Sequence, residues 1–213
     1  MWQFVLKYIK KKKKIVTIDN LSFQELDTNS EIIPLLSPED EMEMHKENLP
    51  EDLAILPLRN MVLFPGVVLP ITAGRDKSIH LLKESNELGK PVGVVSQINE
   101  NTEDPNLNDV HIIGTVAKIL KILNLPDGNI TVILQGKKRF EIAELSQSEP
   151  YLKAIVKEVE EVRPEADDAE FKAIVESVKE TSYEMIKENP NIPSEASFAI
   201  KNIESDSFLI NFV

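Results

Sequence analysis

The dipeptide Gly136-Lys137 comes nearest in this sequence to a nucleotide-binding motif. A P-loop needs a first glycine five residues before Gly-Lys-Ser/Thr, because its backbone amides surround the phosphates and its hydroxyl binds magnesium. Thr131 stands at the position of that first glycine and Lys138 at the position of the hydroxyl. We therefore interpret residues 136–138 as a turn between strands, and we predict no cofactor for this chain.

Other residue types that could do chemistry also lack the spacing that it requires. The three histidines lie more than 30 residues apart, and none has a second ligand at metal-binding distance along the chain. No serine lies in a Gly-x-Ser-x-Gly elbow, and the absence of cysteine excludes thiolate chemistry and disulfides. The adjacent acids Asp167 and Asp168 fit the first turn of a helix, where the helix dipole favours them. We predict no metal site and no catalytic residue.

The charge of the chain argues against nucleic acid as a partner. Its 213 residues carry a net charge of −12, which disfavours attraction to phosphate backbones. The basic clusters at residues 10–14 and 137–139 have no interleaved aromatic residues that could stack on bases. The longest apolar run, residues 61–71, contains two prolines and is far shorter than the roughly 20 residues that span a bilayer. We predict a partner that is neither nucleic acid nor membrane. RNA binding by a small barrel and a basic amphipathic membrane anchor at residues 1–14 stay open as alternatives.

Residues 1–52 are predicted to form a flexible, charged leader. Six lysines between residues 7 and 14 are followed by ten acids and one base between residues 25 and 52. This stretch shows no sustained apolar periodicity, and such a composition buries too little apolar surface to become ordered.

Residues 53–162 are predicted to form a small β-barrel or partly closed sheet with one helix. The helix extends from Asp76 to Leu88, with Asp76 as N-cap and Gly89 just beyond its end. Asp127-Gly128 predicts a tight hairpin, because both residues tolerate the positive φ of such turns. Residues 99–109 are polar and predict a mobile loop. About eight short strands are expected, at residues 53–58, 61–64, 67–71, 91–97, 112–123, 130–135, 140–145 and 151–159.

Residues 163–213 change to a helical period and are predicted to start a helical subdomain. Apolar residues of the first helix are expected to share one face: Phe171, Ile174, Val175, Val178, Met185 and Ile186. A second helix is expected at residues 194–203, and Asp206 is expected to cap a third. Because the apolar pattern at Val213 has no C-cap, we expect the native chain to continue beyond it.

Four stretches of the sequence carry a family resemblance: residues 56–71, 74–78, 114–128 and 136–140. Together they resemble the N-terminal domain of Lon ATP-dependent proteases, over residues 53–213. The resemblance implies an α+β fold, with a PUA-like β pseudo-barrel followed by a helical subdomain. It implies recognition of unfolded, damaged and selected regulatory proteins, and a homohexameric, cytoplasmic serine protease as the longer protein. The ATPase module, which uses ATP and magnesium, and the serine–lysine dyad of that family have no counterpart here, so this chain is not expected to be an enzyme.

Two groups of residues are hypothesised to contact substrate or a neighbouring subunit. Met61 and Phe64 flank the turn at Pro65-Gly66, and the alternative is that both belong to the core. Arg75, Asp76 and Lys77 lie in a stretch that matches the family, and the alternative is an ordinary charged helix start. A stand-alone binding or adaptor module without a protease is the competing function.

Overall fold

We describe the protein from a computed structural model that covers residues 41, 43–44, 46, 48–162, 164–165, 168–189, 192 and 195–213. The chain divides into two compact units, one of residues 38–163, here called the β unit, and one that contains residues 164–211, the helical unit. Most of the predicted leader lies outside the described residues. Within it, residues 41, 43, 44 and 46 are helical, and Met44 is buried.

Besides the helical residues 41, 43, 44 and 46, the described part of the β unit contains six strands, one α-helix and a 3₁₀ turn. The strands are β1 (Asp52–Leu58), β2 (Val68–Ala73), β3 (Val92–Ser96), β4 (Ile113–Asn124), β5 (Ile130–Gln147) and β6 (Lys153–Glu158). Helix α1 (Asp76–Glu87) connects β2 to β3, and the 3₁₀ turn at Leu107–Asp109 precedes β4.

Five of the six strands form a closed ring. The order of the sheet is β2-β5-β4-β3-β1-β6, and β6 also pairs with β5. β5 is long enough to pair with β2 and β4 along its first part and with β6 along its last part. β1 and β3 run parallel, whereas every other pair is antiparallel. Closure leaves β2 as the strand outside the ring and removes exposed sheet edges within it.

The expected strand count was wrong at two places. Residues 61–64 are not a strand, because Asn60 has a left-handed φ of 50° and the Met61 carbonyl accepts its hydrogen bond from the Ser96 hydroxyl instead of a ladder partner. Residues 136–138 are not a turn but the middle of β5. A Cβ at Gly136 would lie 2.2 Å from the Phe64 carbonyl oxygen, so this glycine permits close approach of two backbones rather than a change of direction.

Local turn signals were more accurate. The hairpin between β4 and β5 is confirmed, with Gly128 at φ 89° and the Asp127 carboxylate accepting from the Asn129 backbone N–H. α1 is confirmed, and Gly89 at φ 63° follows its end. Asp76 is not the N-cap, however; Arg75 occupies that position without a side-chain cap, and Asp76 is the first helical residue.

The core of the β unit consists of two apolar clusters. The larger one lies beneath α1 and includes Leu56, Leu82 and Leu134, all at most 1% exposed. The smaller one surrounds Phe140, whose ring is fully buried among residues such as Leu53 and Ile55. These clusters fix the positions of the loops at the ends of the strands.

The helical unit contains α2 (Ala169–Glu188), α3 (Glu195–Asn202) and α4 (Asp206–Phe212). Asp168 caps α2, whereas α4 is capped by the Ser205 hydroxyl, which accepts from Phe208 N–H at 3.0 Å, and not by Asp206 as expected. Of the six apolar residues predicted to share one face of α2, Val175 and Ile186 are buried, but Ile174 is 55% exposed and Met185 is 63% exposed. In the part of the chain that the structure describes, no helix is long and apolar enough to cross a bilayer.

Candidate functional site

The loop between β1 and β2 presents apolar side chains to solvent. Val62 is 54% exposed and Phe64 is 42% exposed, while Leu63 between them is buried. Met61 is only partly exposed and packs against the larger core cluster. Of the two predicted contact residues in this loop, the structure therefore exposes Phe64 and turns Met61 inward. Val62 was missed, because residues 61–64 are all apolar and nothing in their sequence shows which of them face solvent.

The backbone of this loop is held by two strands of the ring. Gly66 N–H donates to the Gly136 carbonyl and Gly136 N–H donates to the Val67 carbonyl, each at 2.9 Å. On the other side the Ser96 hydroxyl, at the end of β3, donates to the Met61 carbonyl. The exposed side chains of the loop thus stand on a fixed backbone.

Two further exposed aliphatic residues lie on segments beside this loop. Ser96 also accepts from His111 N–H through its carbonyl, and Ile98 N–H donates to the Asp109 carbonyl. These bonds place side by side the segments that carry Ile98, which is 61% exposed, and Ile112, which is 58% exposed. We call Val62, Phe64, Ile98 and Ile112 the apolar rim. The last two were missed because only the pairing of distant segments brings them beside the loop.

The backbone carbonyl of Thr102 accepts hydrogen bonds from side chains on three other segments of the β unit. The Thr102 carbonyl accepts from Arg59 Nη2 at 3.3 Å, from Arg75 Nη2 at 3.2 Å and from Gln97 Nε2 at 3.0 Å. Arg75 Nη2 also donates to Gln97 Oε1 at 2.6 Å. Burial, and next the neighbouring charge of Arg59, lower the pKa of Arg75. The predicted contact residue Arg75 is therefore committed to bonds within the protein.

Lys77 also connects α1 to other segments of the β unit through its side chain. Its ammonium lies 2.9 Å from carboxylate oxygens of both Asp104 and Glu149. Hydrogen bonds to Glu149 and then to Asp104 raise the pKa of Lys77. Asp76, between the two basic residues, is exposed in the first turn of α1.

Replacing Arg75 with methionine is expected to loosen residues 99–104 and to lower the free energy of unfolding by about 1–3 kcal/mol, since Gln97 and the Thr102 carbonyl lose a charged donor. Urea denaturation measures the stability, and amide hydrogen exchange locates the loosened segment. Lys83→Met, at an exposed position of the same helix, is the control. Unchanged amide protection of residues 99–104 in Arg75→Met would contradict the bracing role.

Within the described residues, no three histidine or acidic side chains lie close enough together to hold a metal ion. His45 lies outside those residues. The prediction that the chain has no metal site or cofactor stays a prediction.

The sequence of the chain matches one family profile over residues 52–213, that of the ATP-dependent protease La (LON) substrate-binding domain. The chain is 67% identical over 200 residues to a Lon protease of Flavobacterium johnsoniae, which covers 94% of this chain and 24% of that protein. It is 50% identical over 189 residues to a Lon protease of Cytophaga hutchinsonii, covering 88% of this chain and 23% of that protein. The chain thus spans about a quarter of the length of these curated relatives.

The fold of the chain is similar to a solved structure, the N-terminal domain of Mycobacterium avium complex Lon protease. The TM-score is 0.61 at 20% sequence identity, over 76% of this chain and 80% of that one. At this identity the likeness supports the fold, a β-sheet domain with a few helices.

Proposed function

The chain belongs to the family of Lon protease substrate-binding domains, and from this premise we propose that its apolar rim binds unfolded polypeptides for a Lon-type ATP-dependent serine protease. The observation that carries the proposal is the exposure of Val62, Phe64, Ile98 and Ile112 on neighbouring segments. Exposed apolar side chains grouped in this way mark interaction surfaces.

The physical basis of the recognition is the contrast between folded and unfolded chains. A folded protein buries most of its large apolar residues, whereas an unfolded one offers them to any apolar surface. Because the Phe64 turn is bonded to β5 and the Met61 carbonyl to Ser96, little backbone freedom is lost when the rim binds. The rim therefore suits weak binding of many sequences.

The roles of the remaining predicted contact residues follow from their positions. Arg75 and Lys77 are proposed as positioning residues, which hold the loops beside the rim. Asp76 is exposed and is proposed as a contact to substrate or to a neighbouring subunit. Met61 is proposed to support Phe64 from below.

Finer features of the family are proposed for the longer protein. The closed ring of five strands supports a PUA-like pseudo-barrel over residues 53–162, followed by a helical subdomain from residue 163. The protease would be a cytoplasmic homohexamer that binds ATP and magnesium in a separate ATPase module and cleaves peptides with a serine–lysine dyad. Curated relatives that are all Lon proteases favour this proposal over a stand-alone adaptor.

Substitution of Val62 and Phe64 by serine tests the rim. The double variant is expected to bind a fluorescent, carboxymethylated unfolded polypeptide about tenfold more weakly, because two half-exposed apolar side chains lose their contact area. Fluorescence anisotropy measures the affinity, and circular dichroism verifies the fold.

Leu88→Ser is the matched control, since Leu88 is an exposed apolar residue at the end of α1. It is expected to bind the unfolded polypeptide as the wild-type chain does. Equal affinities of the double variant and the wild-type chain would exclude the rim as the binding surface.

A further inference from the structure

A cavity of about 320 Å³ lies between the C-terminal end of α1 and strands β4 and β5. Four lysines line it: Lys90, Lys118, Lys137 and Lys138. Its other walls include the apolar side chains of Leu49, Pro91 and Val116. Its volume is within the range of sites for small ligands and short side-chain groups. The proposed function does not use this cavity.

A bulge in the pairing of β4 and β5 places neighbouring lysines at the same cavity. Consecutive residues of a regular strand point to opposite faces, yet Lys137 and Lys138 both line the cavity. The register between β4 and β5 shifts between Thr115 and Ala117, opposite this part of β5, and such bulges redirect side chains. The extra residue of the bulge lies on β5, Lys118 lies on β4 where regular pairing resumes, and Lys90 follows the end of α1.

The charge of the cavity is opposite to that of the whole chain. Glu158 lies 2.8 Å from the Lys138 ammonium, and Lys137 and Lys138 both have further interaction partners, so the positive charge of the cavity is partly offset. Among the described residues, Lys90 and Lys118 form no side-chain ion pair. Lys137 and Lys138 are 8% and 6% exposed, so the local field is less screened by water than at an open surface. A positive cavity on a chain of net charge −12 is a specific feature rather than general surface charge.

We propose that this cavity binds an acidic segment of an unfolded polypeptide, with one or two carboxylates against the lysines. This deepens the proposed function and rests on it, because it names a second class of substrate feature beside apolar residues. The apolar walls fit the aliphatic part of a glutamate or a neighbouring side chain. The carbonyl end of α1 adds partial negative charge at one wall of the cavity, so the carboxylates are placed against the lysines and away from that helix end.

The test uses the 213-residue chain and two labelled 12-residue peptides. One peptide alternates glutamate with alanine, and the other replaces every glutamate with glutamine. The glutamate peptide is expected to bind at least about tenfold more tightly, and its affinity is expected to fall as salt is raised from low to physiological concentration.

Charge reversal locates the binding. The double variant Lys90→Glu, Lys118→Glu is expected to weaken the glutamate peptide by about tenfold or more, because two nearby charges change sign. Lys83→Glu with Lys187→Glu makes the same change of net charge at exposed positions outside the cavity and is expected to have little effect. Equal weakening by both pairs would show a net-charge effect and overturn the proposal, as would equal binding of the glutamate and glutamine peptides.

Two further measurements distinguish this proposal from polyphosphate binding at the cavity and from the proposed function of the apolar rim. Inorganic polyphosphate that displaces the glutamate peptide at a lower phosphate-group concentration than the peptide's own carboxylates would overturn the assignment to peptide. An uncharged, apolar unfolded polypeptide should still bind Lys90→Glu, Lys118→Glu and should lose affinity for Val62→Ser, Phe64→Ser. If it does so while the glutamate peptide binds the Lys90→Glu, Lys118→Glu variant as tightly as it binds the wild-type chain, the cavity proposal fails and the proposed function stands.

Discussion

Replacing Phe140 with alanine is expected to lower the free energy of unfolding of the β unit by about 3–5 kcal/mol, the range found for fully buried phenylalanines. Its ring is 0% exposed and fills the smaller core cluster. A Cβ built on Gly93 or Gly114 would lie within 2.8 Å of the Phe140 Cζ atom, so the ring occupies space that these two glycines leave open. Because the sheet on both sides is closed, little of the resulting cavity can collapse. Urea denaturation followed by far-ultraviolet circular dichroism measures the loss.

A second substitution tests whether the stability loss in Phe140→Ala comes from the space left by the ring or from general disruption of the core. A Cβ on Gly93 would contact side-chain atoms of Leu53, Ile55 and Phe140 at 2.7 to 2.9 Å, with no backbone atom among these three nearest neighbours. Gly93→Ala is therefore expected to destabilise the wild-type chain and to cost clearly less in Phe140→Ala, where part of the space is free. Strict additivity of the two losses would contradict this view of the core.

Replacing Gly136 with alanine is expected to have the second largest effect, a loss of about 2–3 kcal/mol. The added methyl group would meet the Phe64 carbonyl oxygen at 2.2 Å, and a backbone atom cannot rotate aside as a side chain can. The Phe64 turn must move, so the affinity for an unfolded polypeptide is also expected to fall. Denaturation and fluorescence anisotropy on the same preparation measure both effects.

Gly89→Ala is the control for this prediction. Gly89 has a positive φ of 63° but no atom within 4 Å of a built Cβ, so only backbone strain of about 1 kcal/mol is expected there. Binding of an uncharged, apolar unfolded polypeptide should be unchanged. A Gly136→Ala variant as stable as Gly89→Ala would show that the close approach of the two backbones is not required.

Features that depend on neighbouring residues in the sequence were predictable. Asp127-Gly128 indicates a hairpin because the turn itself selects those residues, and the end of α1 is within one residue of its predicted place for the same reason. Gly136 was misinterpreted because a glycine at a turn and a glycine under a crossing backbone look alike in sequence. The atom that explains it, the Phe64 carbonyl oxygen, is more than 70 residues away along the chain.

The candidate site was predictable only in part. Phe64 was identified from its place beside Pro65-Gly66, but Ile98 and Ile112 reach the rim through pairings near Ser96 that no local pattern encodes. Arg75 was identified as a polar residue of interest, yet its engagement with Thr102 depends on the course of a distant loop. Two of the stretches that carried the family resemblance meet in space, because Gly66 N–H donates to the Gly136 carbonyl and Gly136 N–H donates to the Val67 carbonyl.

The closed ring of strands has a consequence for synthesis on the ribosome. β1 is the first of the six described strands to be made, and it completes its pairing with β6, which ends at Glu158. A nascent chain that has not yet released β6 therefore keeps one edge of β1 and the last part of β5 without their partner strand. Open strand edges favour association between chains, so co-translational protection by a chaperone matters most in the interval before that strand emerges.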